Sequence, residues 1–229
     1  MFKLDVNKED IARYLGYKGK VLDEEIEKAV DLAVVQLREI ATPKVIYRLF
    51  ALKKKEEQIE VEGTTLVLEG QSIRRLLKAC DQCFLLAVTL GQAVDERIRS
   101  GQVQRENLSQ SVILDVCASS MVEEICNQVN EKLEKEWLAK GSYLTDRFSP
   151  GYGDLPLEVQ QPFCQVLDTP RQIGLQVMRS GLMVPSKSIT AIIGIANERQ
   201  EKVFRGCKNC VKKKDCTYGC SNKQMTREG

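Results

Sequence analysis

Histidine is absent from this chain of 229 residues, and its absence excludes whole classes of chemistry. A Ser-His-Asp triad, a Cys-His pair and an H-E-x-x-H zinc site all need an imidazole. Long apolar runs are also missing: the longest, Cys83 to Leu90, is far shorter than the roughly 20 residues of a membrane helix. The N-terminal segment is charged and lacks the apolar core of a secretory signal. We therefore expect neither export nor a membrane partner.

Cysteine and charge, by contrast, are plentiful and unevenly placed. Nine cysteines without a secretory signal indicate a reducing compartment, so we expect a cytoplasmic protein whose thiols stay free or bind metal. From Lys202 to Gly229 eight Lys and Arg residues stand against two acids, so this segment carries +6. Since the whole chain carries +2, its first 201 residues carry about −4. This step predicts two units: a domain over residues 1–205 and a basic four-cysteine tail over residues 206–229.

Helical and strand patterns alternate along the first unit without a regular βαβ rhythm. Amphipathic spacing predicts a helix over 23–41 and a long helix from about 106 to 140. Ser72 is the expected N-cap of a short helix that ends near residue 78. Other patterns predict short helices over 8–16, 91–98 and 156–167.

Strands are predicted where apolar residues alternate or run continuously. The run from Cys83 to Leu90 is typical of a central strand that is buried on both faces. Further strands are predicted over 45–52, in a hairpin over 58–68, and over 172–178, 182–184 and 188–196. We predict an α+β fold: a mixed, mainly antiparallel twisted sheet flanked by helices, one of them long, followed by the short Cys-rich tail.

The loop RFSPGYGDLP at residues 147–156, called the RFSPGY loop below, is the most informative segment of the first unit. Its glycines let the backbone approach a ligand closely, and its prolines stiffen it. Arg147 supplies a planar fork suited to one carboxylate, and Tyr152 supplies a stacking face with a hydroxyl. The same composition also fits a purely structural connection, so the residue types alone leave both interpretations open.

The tail contains four cysteines within fourteen residues, in the pattern C-x2-C-x5-C-x3-C: Cys207, Cys210, Cys216 and Cys220. Four thiolates can close around one Zn²⁺ or an iron–sulfur cluster, and the surrounding lysines favour the thiolate form. The spacing does not separate zinc from an iron–sulfur cluster, and disulfides or free thiols remain alternatives. The other five cysteines are predicted to be small core residues: Cys80, Cys83, Cys117, Cys126 and Cys164.

A second motif follows the RFSPGY loop and the helix after it. It has the form Ile-Gly…Ser-x-x-Met-x-Pro-x-x-Ser, and its members are Ile173, Gly174, Ser180, Met183, Pro185 and Ser188. Together with the loop, it resembles the activation domain of cobalamin-dependent methionine synthase. Stand-alone relatives of that domain share features with residues 85–98 and 115–126. The resemblance spans most of residues 40–196 and does not reach the tail.

The resemblance implies that the loop binds S-adenosylmethionine. Arg147 would bind the methionyl carboxylate, and Glu123 on the long helix falls where the family places a ligand-contacting acid. The nucleoside would be cradled by the backbone and side chains of the loop, at Arg147, Ser149, Pro150, Gly151 and Tyr152.

The resemblance also implies a place in methionine biosynthesis. In this family, one-electron reduction and methyl transfer from S-adenosylmethionine return inactive cob(II)alamin to methylcobalamin. The chain would be an accessory subunit that supports this reaction on a partner methionine synthase or another corrinoid protein. The electron donor would be a protein such as flavodoxin or ferredoxin. Because the cobalamin-binding signature needs a histidine, the cobalamin must be carried by the partner.

Whether the chain is an enzyme in its own right stays open. S-adenosylmethionine carries its own leaving group, so no catalytic residue is predicted, and an activating subunit without a complete active site is expected. One alternative is a metal-binding recognition module whose basic tail contacts RNA or a protein. We do not expect nucleic acid, because the first unit lacks basic stretches interleaved with aromatic residues. Another alternative is a stand-alone methyltransferase.

Overall fold

A strand of mostly apolar residues lies at the centre of the sheet. The computed structural model describes residues 2–17, 22–103 and 108–200. Strand β4 (Cys80–Thr89) pairs antiparallel with β1 (Lys44–Lys54) on one side and with β8 (Ser188–Ala196) on the other. Every residue of β4 from Cys83 onward is buried. The central strand predicted from the continuous apolar run is therefore confirmed.

The main sheet has the strand order β3-β2-β1-β4-β8-β5, and its pairings are antiparallel. The three strands not yet defined are short: β2 (Gln58–Val61), β3 (Val67–Glu69) and β5 (Tyr143–Leu144). A separate two-stranded hairpin is formed by β6 (Gln176–Val177) and β7 (Met183–Val184). The turn between β2 and β3 contains Gly63, as the predicted hairpin requires.

Helices cover both faces of this sheet, and β4 shows why two layers form. Because side chains alternate along a strand, Phe84 and Leu86 point into one apolar cluster while Cys83 and Leu85 point into the other. The first cluster is completed by α1 (Lys8–Tyr14), α2 (Glu24–Ile40), α4 (Gln92–Val103) and α5 (Leu108–Leu138). The second is completed by α3 (Gln71–Leu76), α6 (Gln160–Leu167) and α7 (Thr169–Ile173). The predicted α+β class is confirmed.

Helix α5 is the long helix that the sequence pattern predicts. Its 31 residues bury a stripe that includes Met121, Ile125 and Val129. Each such side chain contributes about 1.5–3 kcal/mol when it leaves water. Near the end of the helix, Trp137 packs edge-to-face on Phe84 with ring centroids 5.8 Å apart. The helix therefore spans one face of the sheet and forms a rigid platform.

Two local predictions differ from the structure. Ser72 lies inside α3 rather than at its N-cap, which is Gly70. Residues 172–178 are not one strand: α7 occupies their first part and β6 only Gln176–Val177. A proline in the first turn of α7 favours a helix start, and Gly174 ends the helix in the left-handed conformation (φ 74°). These terminus signals outweigh the short apolar alternation.

The described residues contain no helix that is long and apolar enough to cross a lipid bilayer. The four cysteines of the tail, Cys207, Cys210, Cys216 and Cys220, lie outside the described residues. Their metal site therefore stays a prediction from the sequence.

Candidate functional site

The first half of the RFSPGY loop is fixed to strand β8. The main chain of Phe148 exchanges two hydrogen bonds with Ile192, of 2.9 and 2.8 Å. The hydroxyl of Ser149 donates to the carbonyl of Thr190 at 2.7 Å. Because β8 is a buried central strand, the loop begins from a rigid support.

The middle of the loop is a tight turn closed by its own main chain. The N–H of Gly151 donates to the carbonyl of Leu155 at 3.0 Å, and the N–H of Tyr152 donates to the carbonyl of Ser149 at 3.1 Å. Leu155 is buried and anchors the turn, whereas Tyr152 is 64% exposed. Gly151 has φ +85°, a conformation that favours glycine. The turn thus presents an exposed aromatic side chain to solvent.

Arg147 carries the most informative geometry in the loop. Its side chain is only 16% exposed. Nη2 donates to Oε2 of Glu123 at 2.9 Å and to Oδ1 of Asn127 at 3.0 Å. Within the described residues, the buried Nη1 has no hydrogen-bond partner. A buried donor without an acceptor costs about 1–3 kcal/mol, so an anionic oxygen placed at Nη1 would be bound favourably.

Glu123 and Asn127 hold Arg147 from one helix. They lie four residues apart on α5 and therefore face the same side of it. Glu123 is the predicted ligand-contacting acid, and the structure brings it to the predicted arginine. Its side chain is 47% exposed, so the carboxylate is also accessible from solvent. A guanidinium with an unused donor beside an accessible carboxylate suits a ligand that carries both a carboxylate and an ammonium group, such as an amino acid.

Three residues that support the loop are missing from the sequence-based prediction. Asn127 is the first, and its four-residue spacing from Glu123 is the signal that could have found it. The other two are Gln160 and Thr190, both buried, whose side chains are hydrogen-bonded with Nε2 to Oγ1 at 2.8 Å. Because the carbonyl of Thr190 accepts a hydrogen bond from Ser149, the Gln160–Thr190 pair supports the strand residue to which the loop is attached. No sequence pattern links these distant residues.

The second half of the loop is fastened to α3. The carboxylate of Asp154 accepts from the N–H groups of Gln71, at 2.6 Å, and of Ser72, at 2.9 Å. The hydrogen bond from the Ser72 backbone, followed by other donors, holds the pKa of Asp154 below its usual range. Gly153 lies so close to this helix that a Cβ there would stand 2.7 Å from Ser72 Oγ. Asp154 thus provides the cap that was expected of Ser72.

An exposed apolar surface adjoins the loop. We call it the loop–hairpin patch, and its members are Tyr152, Leu157, Met178, Leu182 and Val184, each between 36% and 67% exposed. A Cβ on Gly151 would lie 3.3 Å from Leu157, and one on Gly181 would lie 2.9 Å from it. Leu157 therefore joins the loop to the β6–β7 hairpin.

The second motif is structural where it reaches the sheet. The hydroxyl of Ser188 lies 2.8 Å from Oγ1 of Thr89 and donates to the carbonyl of Pro185 at 2.7 Å. Lys187, with a side chain only 12% exposed, forms an ion pair with Asp115 of α5 at 2.9 Å. These contacts hold the segment after the hairpin against β4 and α5. They position the loop–hairpin patch without belonging to it.

The body cysteines are core residues, as the sequence predicts. All five described cysteines are buried. Burial raises the pKa of Cys83 and of Cys126 to about 12, so these thiols stay protonated. No group of three or more Cys, Asp or Glu side chains in the described part of the chain could hold a metal ion.

Comparison with known proteins identifies the family. Residues 31–210 match the family described as "Vitamin B12 dependent methionine synthase, activation domain". The chain belongs to this family, which confirms the resemblance seen in the two motifs. No curated protein matches the chain.

Among solved structures, the chain is similar to the crystal structure of the MetH reactivation domain bound to AdoHcy. The TM-score is 0.61 at 14% sequence identity, and the match covers 78% of this chain. This chain spans 66% of the length of the MetH chain. At this level of identity, the similarity establishes the common fold.

Proposed function

We propose that this chain binds S-adenosylmethionine at the RFSPGY loop and supports the reductive methylation of cob(II)alamin on a partner methionine synthase. The observation that carries the proposal is the buried Nη1 of Arg147, a donor with no acceptor among the described residues, beside a loop with the family's motif. Membership of the activation-domain family supports the same ligand class. So does the AdoHcy bound to the structurally similar MetH domain.

The residues present fit this ligand. The methionyl carboxylate suits Nη1 of Arg147, because Nη2 is already occupied by Glu123 and Asn127. The ammonium group suits the accessible carboxylate of Glu123. The nucleoside suits the main chain from Ser149 to Gly151 together with the exposed ring of Tyr152, which offers a stacking face.

The chain's own residues bind and orient rather than react. The ligand would supply a sulfonium methyl group. One electron from a flavodoxin- or ferredoxin-like donor would reduce the partner's cob(II)alamin, and transfer of the methyl group to the reduced cobalt would give methylcobalamin and leave S-adenosylhomocysteine. No proton needs to be moved, so the absence of histidine is no obstacle. Arg147 and the loop would hold the methyl group at the protein surface, where a partner's corrinoid can reach it.

The loop–hairpin patch supports a partner that docks over the site. Tyr152, Met178 and Leu182 are each more than half exposed, and together they form an apolar surface next to Arg147's loop. Docking there would bury the patch and exclude water from the ligand. We propose a cobalamin-bearing methionine synthase module, or another corrinoid protein, as this partner, and the cytoplasm as their location.

Calorimetric titration with S-adenosylmethionine tests the site. We expect saturable binding to the wild type and a loss of at least about 30-fold in affinity for Arg147→Ala, which removes a charge-assisted contact worth about 2 kcal/mol or more. Arg99→Ala, an exposed arginine on α4, is the matched control and should bind normally. Equal affinity for both variants, or no binding of the wild type up to millimolar ligand, would contradict the proposal.

Reactivation is a separate measurement. The full chain is added to a cobalamin-bearing methionine synthase that lacks this domain, in its cob(II)alamin state, with S-adenosylmethionine and a reductant. We expect return of the methylcobalamin spectrum with wild type and not with Arg147→Ala. Methyl transfer to a small substrate without any corrinoid protein would instead indicate a stand-alone methyltransferase.

We also propose that residues 206–229 form a separate metal-binding tail after a domain that ends near residue 205. The spacing of its cysteines supports one four-thiolate site, at Cys207, Cys210, Cys216 and Cys220. The family match reaches residue 210, so it includes the first two of these cysteines. If the site holds an iron–sulfur cluster, the tail could deliver the electron to the partner.

Anaerobic reconstitution with iron and sulfide, followed by metal analysis and visible absorption, tests the tail. A cluster predicts charge-transfer absorption that is lost in a Cys207→Ser, Cys210→Ser double variant. Stoichiometric zinc without visible absorption would contradict the electron-relay role while keeping the metal site. Metal content that the double variant leaves unchanged would contradict the site itself.

A further inference from the structure

A basic groove lies on the side of the sheet where β1 ends against α3. Its volume is about 380 Å³, and five cationic side chains line it: Lys54, Lys55, Arg74, Arg75 and Lys78. The remaining lining residues are Ile59 and Gln71, so in the described part of the chain no acidic and no aromatic side chain lines the groove. The RFSPGY loop does not take part in it.

Most of the positive charge in this groove is uncompensated. Lys54 pairs with Asp81 at 3.3 Å, and Lys55 pairs with Glu60. Within the described part of the chain, the side chains of Arg74, Arg75 and Lys78 form no ion pair or hydrogen bond. Three net positive charges therefore face one groove, although the first 201 residues carry about −4 in total. The groove is therefore positive on a body whose net charge is negative.

We infer that the basic groove docks an acidic surface of a protein partner. Four of its cations are exposed and the fifth, Arg74, is half-buried. The groove is therefore open to solvent and does not enclose an anion. Single exposed ion pairs are weak, and a small anion would engage only one or two of them. An acidic protein surface engages all of them at once, which steers and orients its approach.

The lining also argues against other polyanions. Single-stranded nucleic acid is bound with aromatic side chains on which bases stack, and the lining has none. A membrane surface is bound with exposed apolar anchors, and the one apolar lining residue, Ile59, is buried. An acidic protein needs neither feature.

The groove and the candidate site share a helix. Arg74 and Arg75 lie on α3, whose first N–H groups are held by Asp154 of the RFSPGY loop. A partner on the groove would therefore sit against the element that fastens the loop. The inference uses no residue of the S-adenosylmethionine site and goes beyond that function.

Fluorescence anisotropy with a labelled poly-L-glutamate of about 20 residues tests the groove on the full chain, at about 20 mM and about 200 mM salt. The groove variant combines Arg75→Glu and Lys78→Glu. Both side chains are exposed, so the fold should tolerate these substitutions. The matched control, Lys132→Glu with Lys135→Glu, makes the same charge change on α5, across the sheet. Any binding by the basic tail is common to all three proteins.

We expect the groove variant to weaken binding at least about tenfold at low salt, and the control to weaken it less than about twofold. At high salt, where the Debye length is below about 8 Å, the groove variant and the wild type should bind the peptide almost equally. Equal weakening by both variants, or none by the groove variant, would overturn the inference. So would tighter groove-dependent binding of a single-stranded RNA or an anionic vesicle.

S-adenosylmethionine calorimetry on the same proteins separates the two proposals. The groove variant should bind that ligand as the wild type does, which also shows that it is folded. A wild type that binds poly-L-glutamate through the groove but fails to bind S-adenosylmethionine would overturn the proposed function and leave the groove standing.

Discussion

Gly153 offers a sharp test of how the RFSPGY loop closes on α3. The residue has φ +54°, and a Cβ built there would lie 2.7 Å from Ser72 Oγ and 3.0 Å from Ser72 Cβ. A left-handed conformation costs a non-glycine residue about 1 kcal/mol, and overpacking costs about 1–3 kcal/mol more. Gly153→Ala should therefore lower the free energy of unfolding by about 2–4 kcal/mol.

Gly63→Ala is the matched control, because Gly63 has φ +72° and no atom within 4 Å of its built Cβ. It carries the backbone cost without the clash, so we expect a loss of only about 1 kcal/mol. Urea unfolding can be followed by the fluorescence of Trp137, the single tryptophan, which packs on Phe84 in the core.

A double-mutant cycle then assigns the difference to Ser72. Ser72→Gly removes the two nearest atoms that the new methyl group would meet and leaves only Phe148 Cζ, at 3.4 Å, which is ordinary van der Waals contact. Although a glycine inside α3 costs about 1 kcal/mol by itself, the coupling energy with Gly153→Ala should recover about 1–3 kcal/mol. If Gly153→Ala is no more destabilising than Gly63→Ala, within about 0.5 kcal/mol, the loop does not pack on α3 as described.

Three other changes test the surroundings of the site. Thr190→Val removes the partner of the buried Gln160 amide and should lower the free energy of unfolding in urea by about 1–3 kcal/mol. Adding Gln160→Leu should recover most of this loss. Additive losses in the double variant would contradict a shared hydrogen bond. The folded-state pKa of Asp154 is lowered, so its stabilisation is present above the ordinary carboxyl pKa and lost as pH falls through the folded value. Asp154→Asn should therefore flatten the loss of stability below about pH 5, and an unchanged pH profile would refute the cap. Iodoacetamide at about pH 8, read by mass spectrometry, should leave the five buried cysteines unmodified in the native state; rapid labelling of Cys83, whose pKa is about 12, would show that the core opens.

Local patterns were sufficient for the largest elements. Strand β4 and helix α5 were predicted because an unbroken apolar run and a 3.6-residue apolar spacing are properties of neighbouring residues. The cap of α3 could not be found in this way. Its carboxylate comes from Asp154, 82 residues beyond Ser72, whereas the local pattern predicts Ser72 as the cap.

The candidate site also contains residues that local patterns predict and residues that only the fold reveals. The loop from Arg147 to Tyr152 is predicted from a motif that resembles a family, and Glu123 from its position in that resemblance. The family match confirms the resemblance, while the ligand-binding roles of these residues stay predictions. Asn127 was missed, because a polar residue on a helix acquires a role only when a distant side chain reaches it. The tail lies outside the described residues, so its four cysteines stay a prediction.

The sequence by itself determined the chemistry that is possible: with no histidine this chain has no imidazole base, and its Arg-x-x-Pro-Gly-Tyr loop resembles that of the activation-domain family. Only the tertiary structure decided which donor of Arg147 has no acceptor among the residues described, because α5 supplies two acceptors to Nη2 and none to Nη1. The tertiary structure also decided that Lys54 and Arg75 line the same basic groove. Hydrogen-bond satisfaction and the convergence of charge depend on which elements pack together, and the order of residues along the chain does not specify that packing locally.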